Sequence, residues 1–322
     1  MQKKFAFICT LALAGACTSA AAQTYPDRPV RLVVGFTPGG AADYVGRVIG
    51  ESLSRTLGQS IIVENKPGAG SSIATEYVSK AAPDGYTILI ASPSSISVNP
   101  ALDPKRAPSV QGLVPVSKLT TSPLVIAVNP ALGITSVADL IAAAKKDPGK
   151  LNFSSAGSGS APHLGGVLFN QLAGIDITHI PYKGGGPSTQ SVIAGDTQVT
   201  FATPPSVLPH VKSGRLRGLA VSSAERSPLV PDLPGMKEAG LPNYKLDFWY
   251  GFFVPAGTPP EIIKKLFDAT RTASLRPEVK AALAREGTDV SLSASPAEFA
   301  AFLKEDNRFW AKLAKDSGAK IE

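Results

Sequence analysis

Residues 31–57 read RLVVGFTPGGAADYVGRVIGESLSRTL, and the fold prediction starts from this stretch. It opens with a continuous apolar run typical of a buried strand, and a Thr-Pro-Gly-Gly turn follows. Beyond the turn the apolar residues recur at helical spacing, at Val45, Val48, Ile49 and Leu53. Strand, glycine turn and amphipathic helix in this order are typical of an α/β fold with parallel strands.

The same alternation of strand-length apolar runs and helical segments continues along the chain. Strands are predicted at residues 61–63, 87–91, 124–128, 152–155, 178–182, 199–202 and 216–221, with helices at 73–82, 137–146, 163–172, 188–194 and 206–212. After residue 259 the pattern is helical, with Pro260, Pro277 and Pro296 at expected helix starts. The sequence therefore predicts an α/β protein with mixed, mainly parallel sheets covered by helices.

Two lobes are predicted from the number of strands, because about a dozen strands exceed what one mixed sheet usually holds. A break in the pattern near residues 120–123 and a return after about residue 223 divide the chain. We therefore expect residues 23–123 and 224–322 to form the first lobe and residues 124–223 to form the second. The ligand cleft is expected between them.

The N-terminal residues have the pattern of a secretory signal peptide. Lys3 and Lys4 give a positive start, residues 5–16 are apolar, and residues 20–22 are all alanine. The pattern predicts removal of residues 1–22 by cleavage before Gln23, and export to the periplasm. Lipidation at Cys17 is the second alternative, because residues 14–17 loosely resemble a lipoprotein box that lacks its preferred leucine.

The composition excludes several classes of function. Both cysteines lie in the predicted signal peptide, which leaves no thiol catalysis or cysteine-bound metal in the mature chain. Lys3 and Lys4 lie there too, so 30 of the 32 basic residues remain beside 25 acidic ones. This mild surplus contains no Lys/Arg block of the kind that binds nucleic acid or anionic lipid. We expect a monomer without a cofactor, a metal or a nucleic-acid partner.

Three segments join a strand to a helix through a turn rich in glycine or serine: residues 36–43, 154–163 and 181–187. A helix N-terminus offers unpaired backbone N–H groups and partial positive charge, and glycine lets an anion approach them. A single turn of this kind has an alternative explanation, a βα connection with a helix cap and no role in ligand binding. Three together, with hydroxyls at further strand ends, predict a shared anion cleft. The candidate ligand-binding residues are Phe36, Thr37, Gly39, Gly40, Ala41, Ala42, Asp43, Ser92, Ser94, Ala156, Gly157, Ser158, Gly159, Ser160, His163, Tyr182, Lys183, Gly184 and Thr203.

Other chemistries lack their motifs. Neither G-x-S-x-G nor G-x-x-x-x-G-K-[ST] occurs, and residues 68–73 begin like a dinucleotide fingerprint without its third glycine, so they are predicted to form a loop. The three histidines lack metal-ligand spacing, and of these only His163 stays a candidate donor in the pocket. Tyr182, Phe36, Trp249 and Tyr250 are candidates to line an apolar part of the ligand site.

The chain resembles the substrate-binding proteins of tripartite tricarboxylate transporters, the Bug (TctC-like) family. The matching stretches are residues 25–92, TSPLVIAVNP (121–130), LNFSSAGSGSAPHL (151–164), IPYKGGGPS (180–188) and FWYGFFVPAGTPPEII (248–263). The resemblance implies a two-lobed type II periplasmic binding protein that closes on a ligand carboxylate, held largely by backbone amides and ordered waters. It also implies membrane permease subunits as partners. Many relatives carry an Asp near Gln190 or Ser191, and its absence weakens the expectation of an amino-acid ligand.

Three functional hypotheses follow. The first is a non-enzymatic protein that captures a mono- or dicarboxylate, aromatic or aliphatic, by hinge closure and delivers it to a tripartite permease. The second is a ligand-sensing subunit that docks on a receptor. The third is a secreted hydrolase or isomerase that uses His163 with a nearby serine, although no nucleophile motif is present.

Overall fold

A computed structural model describes residues 25–317 and residue 319. The predicted signal peptide, its cleavage site and Cys17 lie outside these residues. Within the described part of the chain, no helix is both long and apolar enough to cross a bilayer.

The described chain forms strands and helices in alternation. The strands are β1 (Val30–Val34), β2 (Ile61–Asn65), β3 (Thr87–Ala91), β4 (Leu113–Pro123), β5 (Val125–Val128), β6 (Asn152–Ser155), β7 (Thr178–Pro181), β8 (Val199–Ala202), β9 (Arg217–Val221), β10 (Asp247–Pro255) and β11 (Asp289–Val290). The α-helices are α1 (Ala41–Leu57), α2 (Ser72–Ser79), α3 (Asn99–Leu102), α4 (Ala107–Gln111), α5 (Val137–Lys146), α6 (Ala161–Ala173), α7 (Gly185–Ala194), α8 (Pro204–Lys212), α9 (Pro260–Ser274), α10 (Pro277–Arg285) and α11 (Pro296–Ser317). Short 3₁₀ turns (Ala69–Ser71, Pro104–Arg106, Pro130–Leu132) and a π-helical turn (Ser94–Val98) complete the path.

These elements build two sheets, one in each lobe. The first sheet has the strand order β11-β4-β10-β3-β1-β2, and the second has the order β7-β6-β8-β5-β9. The chain leaves the first sheet at the end of β4, enters the second with β5, and returns after β9 to form β10. The predicted boundaries at 123/124 and 223/224 lie in or beside these passages, and their exact positions stay a prediction.

Both sheets are mixed, as predicted, but parallel pairs are not the majority. The β1–β2, β1–β3, β6–β7 and β6–β8 pairs are parallel. The other five pairs are antiparallel, and each involves β4, β5 or β10. Most strands nevertheless run in one direction within their sheet, β1–β4 in the first and β6–β9 in the second, and only β5, β10 and β11 run the opposite way among the described strands. In strand direction, the expectation of mixed, mainly parallel sheets is therefore confirmed.

Strands covered on both faces form the core, and their carboxyl ends lie at the cleft. All five residues of β3 and all four of β8 are buried, which explains their continuous apolar sequences. The strands β1, β3, β6 and β8 each end at a turn that opens a helix. In α/β folds, ligands bind in the crevice outside the carboxyl ends of such strands.

Candidate functional site

The turns after β1 and β7 meet across the cleft, which shows that the two lobes are closed on each other. The Thr37 backbone N–H lies 3.4 Å from the carbonyl oxygen of Lys183. A Cβ atom built on Gly40 would lie 3.6 Å from the backbone nitrogens of both Gly185 and Gly186. The N-termini of α1 and α7 therefore face each other over a few ångströms.

An inner cavity of about 20 Å³ lies where these helix starts converge, room for about one water molecule. Its wall consists of aromatic rings, small residues and hydroxyl groups, with no charged side chain. The lining residues are Phe36, Gly40, Ala41, Ala42, Ser94, Ala156, Pro162, Gly185, Ser188, Phe201, Ala202, Thr203, Ser206, Phe248 and Tyr250. Burial raises the pKa of the Tyr250 phenol, so its hydroxyl stays neutral.

An outer cavity of about 190 Å³ adjoins the inner one and shares Phe36 and Ala156 with it. Its remaining wall comes from glycine-containing turns of both lobes and includes one cation, Lys183. These residues are Gly68, Ala69, Gly70, Gly157, Ser158, Pro181, Tyr182 and Lys183. The 68–71 loop is held in an unusual conformation, with Ala69 (φ 47°) and Ser71 (φ 78°) in the left-handed region.

The helix starts of α1 and α7 supply the donors that an anion needs. The backbone N–H groups of Ala42 and Gly185, both in the wall of the inner cavity, have no acceptor among the described residues. This is expected in the first turn of a helix, where N–H groups lack intrahelical partners. Two positive dipole ends that face each other repel, and an anion between them removes that repulsion.

The start of α6 differs from the sequence-based expectation, because nearby side chains already accept hydrogen bonds from its first backbone N–H groups. Ala161 N–H donates to Ser94 Oγ at 3.0 Å, Pro162 has no N–H, and His163 N–H donates to Ser160 Oγ at 3.2 Å. Gly159 N–H faces His163 Nδ1 at 3.3 Å. The 156–163 turn therefore contributes the cavity walls and an interlobe hydrogen bond, and its helix start offers no free N–H group.

His163 packs against this turn and does not line either cavity. Its ring stacks on that of His179 with centroids 3.8 Å apart, and His179 Nε2 lies 2.6 Å from Ser155 Oγ. Burial lowers the pKa of His163 to about 4, and burial together with the charge of His163 lowers the pKa of His179 to about 3. Both rings are therefore neutral packing groups near pH 7.

Asp43 is part of neither cavity wall, and it organises the α1 turn. Its carboxylate accepts from Gly39 N–H (3.1 Å) and Asn65 Nδ2 (3.0 Å) and pairs with Arg47 (2.9 Å). Burial opposes its ionisation, but the hydrogen bonds from Arg47, Gly39 and Asn65 hold its pKa below the usual value. The negative charge of this carboxylate is therefore balanced by Arg47, and its repulsion of an anion bound in the cleft is reduced.

The structure divides the candidate residues into three groups. Phe36, Gly40, Ala41, Ala42, Ser94, Ala156 and Thr203 line the inner cavity, and Gly157, Ser158, Tyr182 and Lys183 line the outer one. Thr37, Gly39, Asp43, Ser92, Gly159, Ser160, His163 and Gly184 lie in the wall of neither. Trp249 also lies elsewhere, where its Nε1 donates to Asp306 at 2.8 Å. Among the described residues, no cluster of three or more His, Cys, Asp or Glu side chains could hold a metal ion.

Several lining residues were not predicted. Ser206 lies in Thr-Pro-Pro-Ser at the start of α8, a helix-start pattern that could have indicated it. Residues 68–73 were predicted to form a loop without a role in the site, and the glycines at 68 and 70 were the available signal of a close approach. Ser188, Phe201 and Phe248 carried no such signal.

Comparison with known proteins places the chain in a family. Residues 45–319 match the model of the tripartite tricarboxylate transporter family receptor, TctC. Protein BugT of Bordetella pertussis is 37% identical over 314 residues, which cover 97% of this chain and 96% of BugT.

Solved structures agree in fold. An R. palustris protein solved with adipate has a TM-score of 0.88 and 33% identity, with 92% of this chain and 99% of that chain covered. MatC from Rhodopseudomonas palustris, solved with bound malate, has a TM-score of 0.84 and 31% identity, with 90% and 100% covered. Members of the family are receptors, which confirms the prediction of a non-enzyme and makes the hydrolase hypothesis wrong. The chain therefore belongs to the tripartite tricarboxylate transporter family of receptors, and it has the two-lobed fold of a periplasmic binding protein.

Proposed function

We propose that this protein captures a small mono- or dicarboxylate in the periplasm by closing its lobes, and delivers it to a tripartite permease. The observation that supports this most is the convergence of the α1 and α7 helix starts, with free N–H groups at Ala42 and Gly185. The inner cavity wall has no Lys, Arg or His, so backbone dipoles and hydroxyls would carry the recognition.

The other parts of the proposal rest on sequence and relatives. Relatives solved with adipate and malate favour an aliphatic acid of this size, and the outer cavity of about 190 Å³ offers the space for the rest of an aliphatic or aromatic acid beyond its carboxylate. The family description favours membrane permease subunits as partners. We further propose cleavage before Gln23, lobe boundaries near 123/124 and 223/224, and a monomer in solution.

A thermal-shift screen of the exported protein tests the ligand class. We expect one or a few small carboxylates to raise the melting temperature, since ligand at a hundred times its Kd adds about 2.7 kcal/mol. The matched control is the primary amide of each acid, which keeps the shape and loses the charge. A hit with an amide, a sugar or an amine, and none with the acids, would refute the proposed ligand class.

A further inference from the structure

Two hydrogen bonds cross the cleft in a reciprocal arrangement. The N–H of Ala41, the first residue of α1 in the first lobe, donates to Ser206 Oγ of the second lobe at 3.1 Å. The N–H of Ala161, the first residue of α6 in the second lobe, donates to Ser94 Oγ of the first lobe at 3.0 Å. Each lobe thus provides a serine that pairs the first N–H of a helix in the other lobe.

All four residues are buried in the closed form, with exposures of 0% for Ser94, 4% for Ser206, 3% for Ala41 and 0% for Ala161. In open lobes, water can hydrogen-bond these groups. In closed lobes the serine hydroxyls are the acceptors, and an N–H left without one would be costly. The two bonds therefore favour the closed form, and they involve protein atoms only.

The same hydroxyls are positioned to contact a ligand, because both serines line the inner cavity. Ser94 Oγ accepts from Ala161, and no acceptor for its own proton exists among the described residues. Ser206 Oγ has one further hydrogen-bond partner among the described residues, Thr203 Oγ1, at the long distance of 3.5 Å. A hydroxyl that donates to a carboxylate becomes a better acceptor for its N–H partner, because linked hydrogen bonds polarise one another.

We propose that Ser94 and Ser206 form a two-point latch that couples ligand capture to lobe closure. Each hydroxyl accepts an N–H from the opposite lobe and donates its own proton to the ligand carboxylate. Ligand and closure then strengthen each other through the same two atoms. The ligand half of this inference rests on the proposed function, whereas the closure half does not.

The closure half is tested in the ligand-free protein by single-molecule energy transfer between one dye on α9 and one on α5. Both native cysteines lie within residues 1–22, so an introduced pair labels the exported chain uniquely. We expect Ser94→Ala and Ser206→Ala each to lower the ratio of closed to open molecules about two- to tenfold, and the double variant to lower it further. Ser191→Ala is the control, since this buried hydroxyl bonds only within the second lobe, to Ser188 O (2.8 Å) and Thr197 Oγ1 (2.7 Å). A double variant that closes as often as the wild type overturns the latch.

The ligand half is tested with adipate as the first probe, by stopped-flow dissociation from the same variants. We expect both alanine variants to release it about tenfold faster, with Ser191→Ala unchanged. Unchanged release from both variants refutes the donor role of the two serines. If adipate and the screened acids all fail to bind the wild type, the proposed function fails, and the ligand-free measurement still decides on the latch.

Discussion

Replacing Gly184 by valine is expected to reduce carboxylate binding at least a hundredfold while both lobes stay folded. A Cβ atom at this position would lie 2.5 Å from Thr37 Oγ1 and 3.2 Å from the Thr37 backbone nitrogen. Thr37 belongs to the opposite lobe, so this clash exists only when the lobes are closed, whereas the backbone strain of a side chain at φ 155° is present in the open and the closed form alike. A hundredfold loss corresponds to about 2.7 kcal/mol of binding free energy.

Titration calorimetry with the acid found in the screen measures the affinity, and thermal unfolding without ligand checks the fold. The matched control is the double variant Thr37→Ala with Gly184→Ala, which removes the nearest clashing atom and should bind better than Gly184→Ala alone. Full affinity in Gly184→Val would show that these turns do not approach in the bound state. A large drop in its ligand-free melting temperature would show that Gly184 serves the fold instead.

Lowering the pH from 7 to 5 is expected to reduce the free energy of unfolding, chiefly through the stacked His163–His179 pair. Burial lowers the pKa of these rings to about 4 and about 3, below the 6.5 of an exposed histidine. The unfolded chain therefore binds more protons, and stability present above pH 6.5 is lost as the pH falls toward 4. Each ring accounts for about 2 kcal/mol between pH 7 and pH 5.

Urea unfolding at both pH values measures this effect, and His179→Phe isolates it. Phenylalanine keeps a ring in the stack and cannot titrate, so the variant should lose about 2 kcal/mol less than the wild type. Asp306 acts in the opposite direction, because burial raises its pKa to about 6 and its protonation on acidification favours the folded state. Asp306→Asn should therefore enlarge the loss by about 1 kcal/mol. Equal losses in wild type and His179→Phe would contradict this account.

The strands and helices with a clear pattern of apolar residues were predictable from the sequence. The strands of the βαβ units read as continuous apolar runs because helices cover both faces, and the prolines at 260, 277 and 296 begin α9, α10 and α11 as predicted. The strand β4 was not predicted, since Pro115 interrupts its alternation. The strand β10 was not predicted either, although its aromatic sequence DFWYGFFVP is typical of a strand.

The turns that form the site were predictable from the sequence. Which of their backbone N–H groups stay free to bind a ligand was not. Sequence spacing treats the starts of α1 and α6 as equivalent. In the folded chain, Ser94 and Ser160 take the first-turn donors of α6, whereas Ala42 and Gly185 keep theirs free. That difference depends on which side chains the other lobe brings into the cleft, and Ser206 lies 165 residues from the N–H that it accepts.

The position of a carboxylate in a crystal structure of the complex tests the central claim most directly. We predict carboxylate oxygens about 2.7–3.2 Å from the backbone nitrogens of Ala42 and Gly185, with the lobes closed around them. A ligand bound with its carboxylate away from both helix starts, or on one lobe with the cleft open, would contradict it.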